Sequence, residues 1–374
     1  MFKQSDRYVF IEWLKIFALV LGAMFGLQFI VEVQDSFAEL MGYDAGFGQI
    51  LFYYIIKAPS FLTFTLPAAI LVSVLYALGQ LHRNNEFVAF RSTGMSVFRV
   101  TRTIWFSGLA LSIGLWHLNA NFIPWSVEQS RTLWNNLEYT HQAKNLAVDQ
   151  VGIVKNLSFD NRKDGRMWFM NRFSNFTNEA YGVTMTELND NRIVKRRIMA
   201  KQGYYDDIDH VWVLEQGLDN EYAISGEDAG EVVRSIRFDR LELQDIDDNP
   251  DLMMLLDKRP KDLSFLELNR LIDNFDRDDN AKIIKYEVRL QSLIAGAASC
   301  LIVVGIAIPF ATSGVRVNPA VGVSKSIGLF FIYYILASVL NALGRQEIIS
   351  PVTAAWLPNG FMILLAYVLM RRVR

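Results

Sequence analysis

Apolar residues gather in six runs, three towards each end of the chain. The runs are 14–33, 61–81, 103–123, 288–311, 321–343 and 352–370. A helix of about 20 apolar residues is long enough to cross the hydrocarbon core of a bilayer. Lipid offers no partner for free backbone groups, so each run must be helical. The pattern therefore predicts six membrane-spanning helices, split three and three.

The region between the third and fourth runs alternates apolar and polar residues over short stretches. The clearest are RMWFMNRF (166–173), YGVTMTEL (181–188), RIVKRRIMAK (192–201), HVWVLEQG (210–217) and VVRSIRFDRLEL (232–243). Such alternation, broken by turn residues, is typical of strands in a sandwich, a jelly roll or a partly open barrel. Trp168, Phe169, Trp212 and Val213 are expected in its apolar interior, which is either a closed core or an open groove.

The stretch SFLELNRLIDNF (264–275) returns to helical spacing, with Phe265, Leu268 and Ile272 on one face. An amphipathic helix at this place either lies on the membrane surface before the fourth span or packs on the β domain. The spacing alone leaves both alternatives open.

Pairs of small residues, which let helices approach closely in lipid, occur in three of the runs. They are Gly22 with Gly26, Gly108 with Ser112, and Ala295 with Ser299. Such pairs predict packing within the bundle of one chain. In the first run they also fit contact with a partner subunit or a gate.

Basic residues mark one side of the membrane. They flank or join the runs on that side at Lys3, Arg7, Lys15, Arg83, Arg91, Arg99, Arg102, Arg316, Lys325, Arg371, Arg372 and Arg374. The connection after the first run instead carries Asp35, Glu39 and Asp44. Basic connections remain in the cytoplasm, so both chain ends are predicted to be cytoplasmic and the large middle region external.

The stretch NNEFVAFRSTGMS (84–96) separates the second and third runs. Phe87 and Phe90 are three residues apart, which places them on one face of a short helix. Such a helix either rests on lipid headgroups or inserts its apolar side chains into a groove of another subunit.

Composition argues against an enzyme. The chain is 52% hydrophobic and 20% charged, and its net charge of −2 gives no reason to expect nucleic acid. No Walker A, HExxH or paired-cysteine motif and no convincing GxSxG occurs, and the single cysteine, Cys300, lies in an apolar run. The acidic stretches 247–251 and 276–280 lack the closing glutamate of a calcium loop and are expected to be solvated turns. No catalytic residue and no metal site is predicted.

In this order, these features resemble the LptF/LptG family, the two membrane subunits of the lipopolysaccharide export ABC transporter. The similar segments are DRY (6–8), NEFVAFRSTGMS (85–96), HVWVLEQG (210–217), GVSKSIGLFFIYYILASVLNALG (322–344) and PVTAAWLPNGFMILLAYVLMRR (351–372). The last two segments are more similar to the LptG branch. The resemblance covers essentially the whole chain.

The resemblance implies an α-helical membrane protein with six transmembrane helices, three and three, and an inserted periplasmic all-β, jelly-roll-like domain. Residues 1–124 would form transmembrane helices one to three with a cytoplasmic coupling helix at 84–96. Residues 125–262 would form the β domain, and 263–374 the interfacial amphipathic helix and helices four to six.

The family's mechanism gives the 84–96 helix a task, because an ABC permease must receive force from a separate ATPase. The implied coupling residues are Glu86, Phe87, Phe90, Arg91 and Gly94. Phe87 and Phe90 would be the apolar knobs and Glu86 the charged contact. This chain would bind no cofactor, and the partner ATPase would use the ATP and magnesium.

The resemblance also implies a lipid cavity with lateral gates in the first and fifth spans. The residues assigned to it are Phe25, Phe29, Glu32, Lys57, Phe331 and Tyr334. Glu32 departs from the family, which places a basic residue there to meet phosphates. The substrate would then carry fewer phosphates or other acidic sugars, a divalent cation would bridge, or the partner permease would supply the positive charge.

The implied partners are a second, LptF-like permease, two LptB-like ATPase subunits, LptC- and LptA-like bridge proteins, lipopolysaccharide and membrane lipid. The implied location is the bacterial inner membrane, with a periplasmic β domain. Two alternatives remain: a membrane-anchored sensor or structural protein, and a permease that transmits force to an envelope enzyme without transport.

Overall fold

The computed structural model describes residues 4–145, 151–161, 164–189, 191–206, 209–224, 230–243, 246, 248–275, 283–312 and 319–372. The acidic stretch 276–280 and the basic residues Lys3, Arg316 and Arg374 lie outside these ranges. The chain divides into two compact units. One contains residues 1–132, 264–266 and 284–374, and the other contains 133–263 and 267–283.

The first unit is helical. Its helices are α1 (Gln4–Gly42), α2 (Phe47–Lys57), α3 (Leu62–Arg83), α4 (Glu86–Ser92), α5 (Val97–His117), the start of α6 (Ile123–Asn145), α9 (Ile284–Gly296), α10 (Ser299–Thr312), α11 (Pro319–Arg345) and α12 (Pro351–Arg372). A 3-10 turn, Ala58–Phe61, joins α2 to α3, and a π-helical turn, Leu118–Phe122, joins α5 to α6.

Four helical segments among the described residues are long and apolar enough to cross a membrane. They are α1, the stretch from Phe47 to Arg83, Gly322–Arg345 in α11, and α12. A fifth arises if α9 and α10, which meet at 49°, count as one broken span. The predicted third span, 103–123, corresponds to α5 and the π-helical turn and is not among them. Helices able to span a membrane are therefore confirmed, and the count of six stays a prediction.

The core of this unit lies where α1, α3, α5 and α10 meet. Trp13 of α1 is 2% exposed and donates its indole N–H to Ser73 Oγ of α3 at 3.1 Å. Gly108 of α5 admits Val304 so closely that a Cβ would lie 2.7 Å from its Cγ2. Ser112 Oγ accepts the backbone N–H of Leu301 at 3.0 Å. The small pair in the third run thus packs within this chain, as predicted.

The small pair in the first run behaves differently. Among the described residues, a Cβ added at Gly22 or Gly26 would meet no atom within 4 Å. Only 6% of the most apolar window of α1 is buried. This face of α1 is therefore open, which fits the alternative of a partner or gate at the first span.

The second unit is built on a six-stranded antiparallel sheet whose strands pair in chain order. The strands are β1 (Ile153–Asn161), β2 (Arg166–Ser174), β3 (Glu179–Leu188), β4 (Val194–Asp206), β5 (Val211–Tyr222) and β6 (Val232–Leu243). All five predicted strands are confirmed, and β1 was not predicted. Consecutive pairing fits the partly open form among the predicted all-β arrangements.

Apart from the bulges at Leu188 and Tyr222, each strand omits one residue from the paired register, and these residues form a crease across all six strands. Its residues are Asn156, Asn171, Gly182, Lys201, Gln216 and Asp239. Asn156, Gly182 and Gln216, on alternate strands, have φ angles of 55°, 64° and 53°. Left-handed backbone at such positions bends strands sharply.

The crease lets the sheet close over its own interior. Trp168 of β2 and Trp212 of β5 have ring centroids 5.0 Å apart, although two strands lie between theirs. Adjacent strands are about 4.8 Å apart, so this contact requires the sheet to fold over. Trp168 is 2% exposed, Trp212 is 0% exposed and Val213 is 2% exposed, so these three predicted interior residues are in a closed core. Phe169 is 42% exposed, so its expected place in the interior is wrong.

Two further helices, α7 (Pro250–Asp257) and α8 (Phe265–Asn274), follow the sheet. Asn249 caps α7 by accepting the Asp251 N–H at 2.7 Å, which is typical before a proline at the first helical position. Directly after α8, Phe275 is buried and lies edge-on to Phe159 of β1 at 5.7 Å. This contact supports packing on the β domain, and contact of α8 with a membrane surface stays a prediction.

Candidate functional site

The helix α4 is short because both of its ends are fixed by special backbone conformations. Asn85, immediately before it, has φ 61°, and Gly94, after it, has φ 81°. Ser96 then caps α5 by accepting the Arg99 N–H at 3.3 Å. Two left-handed residues within ten positions produce a tight helix–turn–helix joined directly to α3 and α5. A force applied to α4 would therefore reach both long helices.

Phe87 lies in the core of the helical unit and not on its surface. Its side chain is 4% exposed, and its ring lies 6.0 Å from the ring of His82. Phe90 is half-buried, and Val88 is 42% exposed. The structure corrects the expectation for Phe87, because a side chain covered by its own chain anchors α4 and is not available to a partner's groove. α4 exposes Val88 on one face, and Phe90, which packs in part against the core of the helical unit, leaves part of its ring exposed on another.

Glu86 connects α4 to α1. Tyr8 donates its hydroxyl to Glu86 Oε2 at 2.8 Å, and Asn84 donates to Oε1 at 3.4 Å. Arg91 is exposed at the other end of α4. A cleft of about 600 Å³ opens beside it, lined in part by Gly94, Phe98 and Met370. Four of the five predicted coupling residues thus border an accessible surface. The fifth, Phe87, is buried beneath that surface and packs in the core of the helical unit.

The residues predicted in the first span gather with α2. Phe25 lies edge-on to Phe61 at 5.9 Å, and Phe29 lies edge-on to Tyr54 at 5.4 Å. One helical turn further along, Glu32 forms an ion pair with Lys57. Aromatic rings and one charge pair therefore form a continuous patch along α1.

The Glu32–Lys57 pair is partly buried and well supported. The side chains are 18% and 30% exposed. Lys57 Nζ also donates to Tyr53 Oη at 2.7 Å and lies 5.1 Å from the centroid of that ring. Ser36 Oγ lies 3.1 Å from Tyr54 Oη, so a second polar contact flanks the pair. Glu32 compensates the charge of Lys57 within this chain.

The two residues predicted in the fifth span differ from one another. Tyr334 packs against Phe64 of α3 at 5.5 Å and against Phe330 at 4.8 Å. Phe331 is 59% exposed. Since Phe61 and Phe64 are on adjacent turns, the rings from α1 and α11 meet the same end of α3.

The interior of the β domain is held closed by Asp248, which is 1% exposed. Its carboxylate accepts from Arg166 Nε at 2.7 Å, from Trp168 Nε1 at 2.8 Å and from Asn161 Nδ2 at 2.6 Å. Its backbone carbonyl accepts from Trp212 Nε1 at 2.7 Å. The expectation of a solvated turn at 247–251 is wrong for Asp248, because four donors converge on it.

Charged residues mark the other end of this interior. Arg196 bonds Asp219 through Nε at 2.9 Å and Nη2 at 2.7 Å, and Glu187 lies 3.6 Å away. The hydrogen bonds to Asp219 raise the pKa of the Arg196 guanidinium above its ordinary value. The buried row of Trp168, Met185 and Ile198 continues across the sheet to Asp219 and to Ile236, which is 41% exposed. The inner face is thus apolar and opens at β6.

Sequence reasoning missed several residues of these sites. The contacts of Tyr8 and Tyr53 join residues that are 78 and 4 positions apart, and those of Asp248 join residues that are 36 to 87 positions apart. Only the spacing of Tyr53 and Lys57, one turn apart, carries a local signal that could have been read.

Comparisons with known proteins agree along the whole chain. A model of the family described as lipopolysaccharide export system permease LptF/LptG matches residues 7–372. The lipopolysaccharide export system permease protein LptG of Haemophilus influenzae is 22% identical over 378 residues, which cover 100% of both chains. The helices, α4 and the inserted sheet all lie within the matched range.

Proposed function

The chain belongs to the lipopolysaccharide export system permease LptF/LptG family, and from this premise we propose that it is the LptG-like membrane subunit of an ABC exporter of lipopolysaccharide. The observation that carries the proposal is the match of one family model to residues 7–372. In this role the chain extracts lipopolysaccharide from the inner membrane and passes it to a periplasmic bridge that leads to the outer membrane.

A separate pair of LptB-like ATPase subunits supplies the energy, and they use the ATP and magnesium. We assign their docking surface to α4. Val88 and Phe90 provide the apolar contacts, and Arg91 provides a charge at the rim. The buried ring of Phe87 and the bond from Tyr8 to Glu86 make α4 rigid, so that movement of the ATPase is passed to α1, α3 and α5.

The lipid enters along the aromatic patch of α1 and α2. Phe25 and Phe29 contact acyl chains, while Lys57 is at the polar end of the patch. An anionic group that binds Lys57 must compete with Glu32. The family places a basic residue at the position of Glu32, and here that position carries a competing carboxylate instead. Only a substrate with enough negative charge to displace this carboxylate would bind Lys57.

A second, LptF-like permease completes the cavity. The open face of α1 at Gly22 and Gly26 supports this assignment, as does the exposed ring of Phe331 on α11. Close helix approach in lipid favours small residues at the contact. The β domain is assigned to the periplasm, where LptC- and LptA-like proteins receive the lipid at β6.

Replacing Val88 and Phe90 together with glutamate tests the coupling assignment. We expect the ATPase to be lost from the purified complex, because two carboxylates at the centre of an apolar contact cost several kcal/mol of binding, about 3 or more. The measurement is the ratio of ATPase to permease after affinity purification. The matched control, Gln80→Glu with Ser324→Glu, adds the same charge at exposed positions outside α4 and keeps the ATPase.

Retention of the ATPase by the Val88→Glu, Phe90→Glu variant would exclude α4 as the coupling surface. If no ATPase accompanies the wild-type chain at all, the alternative of a membrane-anchored sensor replaces the proposal.

A further inference from the structure

A groove lies between the first turns of α1 and the centre of α5, away from the aromatic patch of α1 and α2. Its volume is about 630 Å³. Its lining includes Asp6, Arg7, Phe10, Thr103, Phe106 and Ala110. Phe106 is 60% exposed, so the apolar wall opens sideways to the surroundings of the helices. Neither the coupling surface nor the proposed lipid route uses this groove.

The groove is polar at one end and apolar at the other. Arg102 donates through Nε to Asp6 Oδ1 at 3.0 Å, and a second bond joins the same two side chains. Asp6 is 5% exposed, and its charge is compensated by this pair. Arg7 is exposed and has no ion-pair partner among the residues that the structure describes. Among the described residues at the polar end, Arg7 therefore supplies the positive charge that no ion pair compensates.

Thr103 stands between the two ends. It is 6% exposed, and its hydroxyl has no hydrogen-bond partner among the described residues. Its neighbours on the same helix do find partners, since Thr101 donates to Val97 O at 3.0 Å and Ser107 to Thr103 O at 2.8 Å. A buried hydroxyl without a partner is destabilising, and a hydrogen bond to a ligand oxygen at the groove would remove that cost.

From its polar end to its apolar end, the groove presents its groups in the order of those in a glycerophospholipid. Arg7 is at the level of a phosphate, and Thr103 is at the level of an ester oxygen. Phe106 and Ala110 continue along the apolar part, and Ala110 is about 10 Å from Thr103 at the rise of a helix. A cavity of about 300–1,000 Å³ is typical of specific small-ligand sites.

We propose that this groove binds one anionic glycerophospholipid. Arg7 pairs with its phosphate, the Thr103 hydroxyl donates to an ester oxygen, and an acyl chain lies along Phe10, Phe106 and Ala110. The basic residues of the α3–α5 connection place this lipid in the cytoplasmic leaflet. The bound lipid would hold α1 against α5 beside the Asp6–Arg102 pair. This inference goes beyond the proposed export function and does not depend on it.

Lipid retention on the complete complex tests the proposal. The complex is reconstituted in nanodiscs with equal phosphatidylglycerol and phosphatidylethanolamine, and native mass spectrometry counts the lipids that remain on this chain. We expect one phosphatidylglycerol on the wild type. Arg7→Gln should lower its occupancy about fivefold, the factor expected for one basic residue at a membrane surface. Thr103→Val should lower it while the fold is kept, and Ala110→Trp should remove it by filling the groove.

Two control variants separate the groove from general effects. Arg83→Gln removes an exposed arginine outside the lining, and Leu364→Trp adds a large ring to α12 at a position that is 63% exposed. Both should leave retention unchanged. Equal retention of the two lipids, unchanged retention in Arg7→Gln and Ala110→Trp, or a partner protein's helix crosslinked at Phe106 in place of lipid would overturn the proposal. No lipopolysaccharide enters this measurement, so its failure is distinguishable from failure of the export function.

Discussion

At the scale of single residues, Asp248 is the contact on which the β interior depends most. Removing it leaves the N–H groups of Arg166 and Trp168 buried without an acceptor. Loss of one partner from a buried charged network costs about 3–5 kcal/mol. We predict that Asp248→Ala lowers the opening free energy of β1 and β2 by about this amount, measured by hydrogen exchange on the full chain.

Asp164→Ala is the matched control for that prediction. Asp164 also bonds Arg166, at 2.6 Å, but its side chain is 39% exposed. An exposed pair contributes about 0–1 kcal/mol. Equal hydrogen-exchange protection of β1 and β2 in Asp248→Ala and Asp164→Ala would mean that Asp248 does not hold the interior closed.

The Glu32–Lys57 pair gives a second prediction at this scale. Glu32→Gln removes the carboxylate that competes for Lys57, so binding of an anionic lipid should tighten by about tenfold, or about 1.4 kcal/mol. Lys57→Gln should weaken it by a similar factor. Binding of lipopolysaccharide to the detergent-solubilised complex measures both. The same direction of change in the two variants would exclude competition for Lys57.

At the scale of elements, the crease in the β sheet depends on Gly182. A Cβ there would lie 2.3 Å from Asn171 Nδ2, and the φ of +64° is strained for any other residue. Gly182→Ala should therefore destabilise the β domain by about 1–3 kcal/mol. Gly230 also has a positive φ, of +93°, but a Cβ there meets nothing within 4 Å.

The loss of β-domain stability in Gly182→Ala and in Gly230→Ala is compared by heating the full chain and measuring hydrogen exchange in the β strands. Gly230→Ala should show only the cost of backbone strain and remain close to the wild type. A smaller effect at Gly182 than at Gly230 would mean that the crease tolerates a side chain.

The elements also show where sequence reasoning succeeds. Alternation in the sequence predicted β2 to β6, although only part of it becomes alternating burial: β2 buries Trp168 and Met170, whereas β6 is exposed along most of its length. β1 was missed, since its alternation is confined to Leu157 and Phe159 at the centre. Spacing placed Phe87 and Phe90 on one helix, but it could not indicate that His82 and the core cover Phe87. The crease depends on how neighbouring strands pair, so the sequence of one strand cannot predict it.

At the scale of the whole molecule, apolar runs and one inserted alternating region were enough to predict helices able to cross a membrane and a β domain between them. The long-range pairs of the candidate sites were beyond prediction. Glu32 and Lys57 are 25 residues apart, and Asp6 and Arg102 are 96 residues apart. In the sequence, each of these residues looks like an ordinary charge at the end of a membrane span. Only the fold brings them together.

The central claim is that lipopolysaccharide moves through this chain from the aromatic patch of α1 to the inner face of the β domain. A photo-crosslinking residue is placed at Phe29 or at Ile236, and the complex is reconstituted with lipopolysaccharide. Position Arg237 is the control, because it follows Ile236 on the opposite face of β6. We predict a lipid adduct at Phe29 before ATP is added, and one at Ile236, but not at Arg237, only after ATP is added. An active ATPase with no lipopolysaccharide adduct at either Phe29 or Ile236 would contradict the account, and would favour a permease that transmits force without transport.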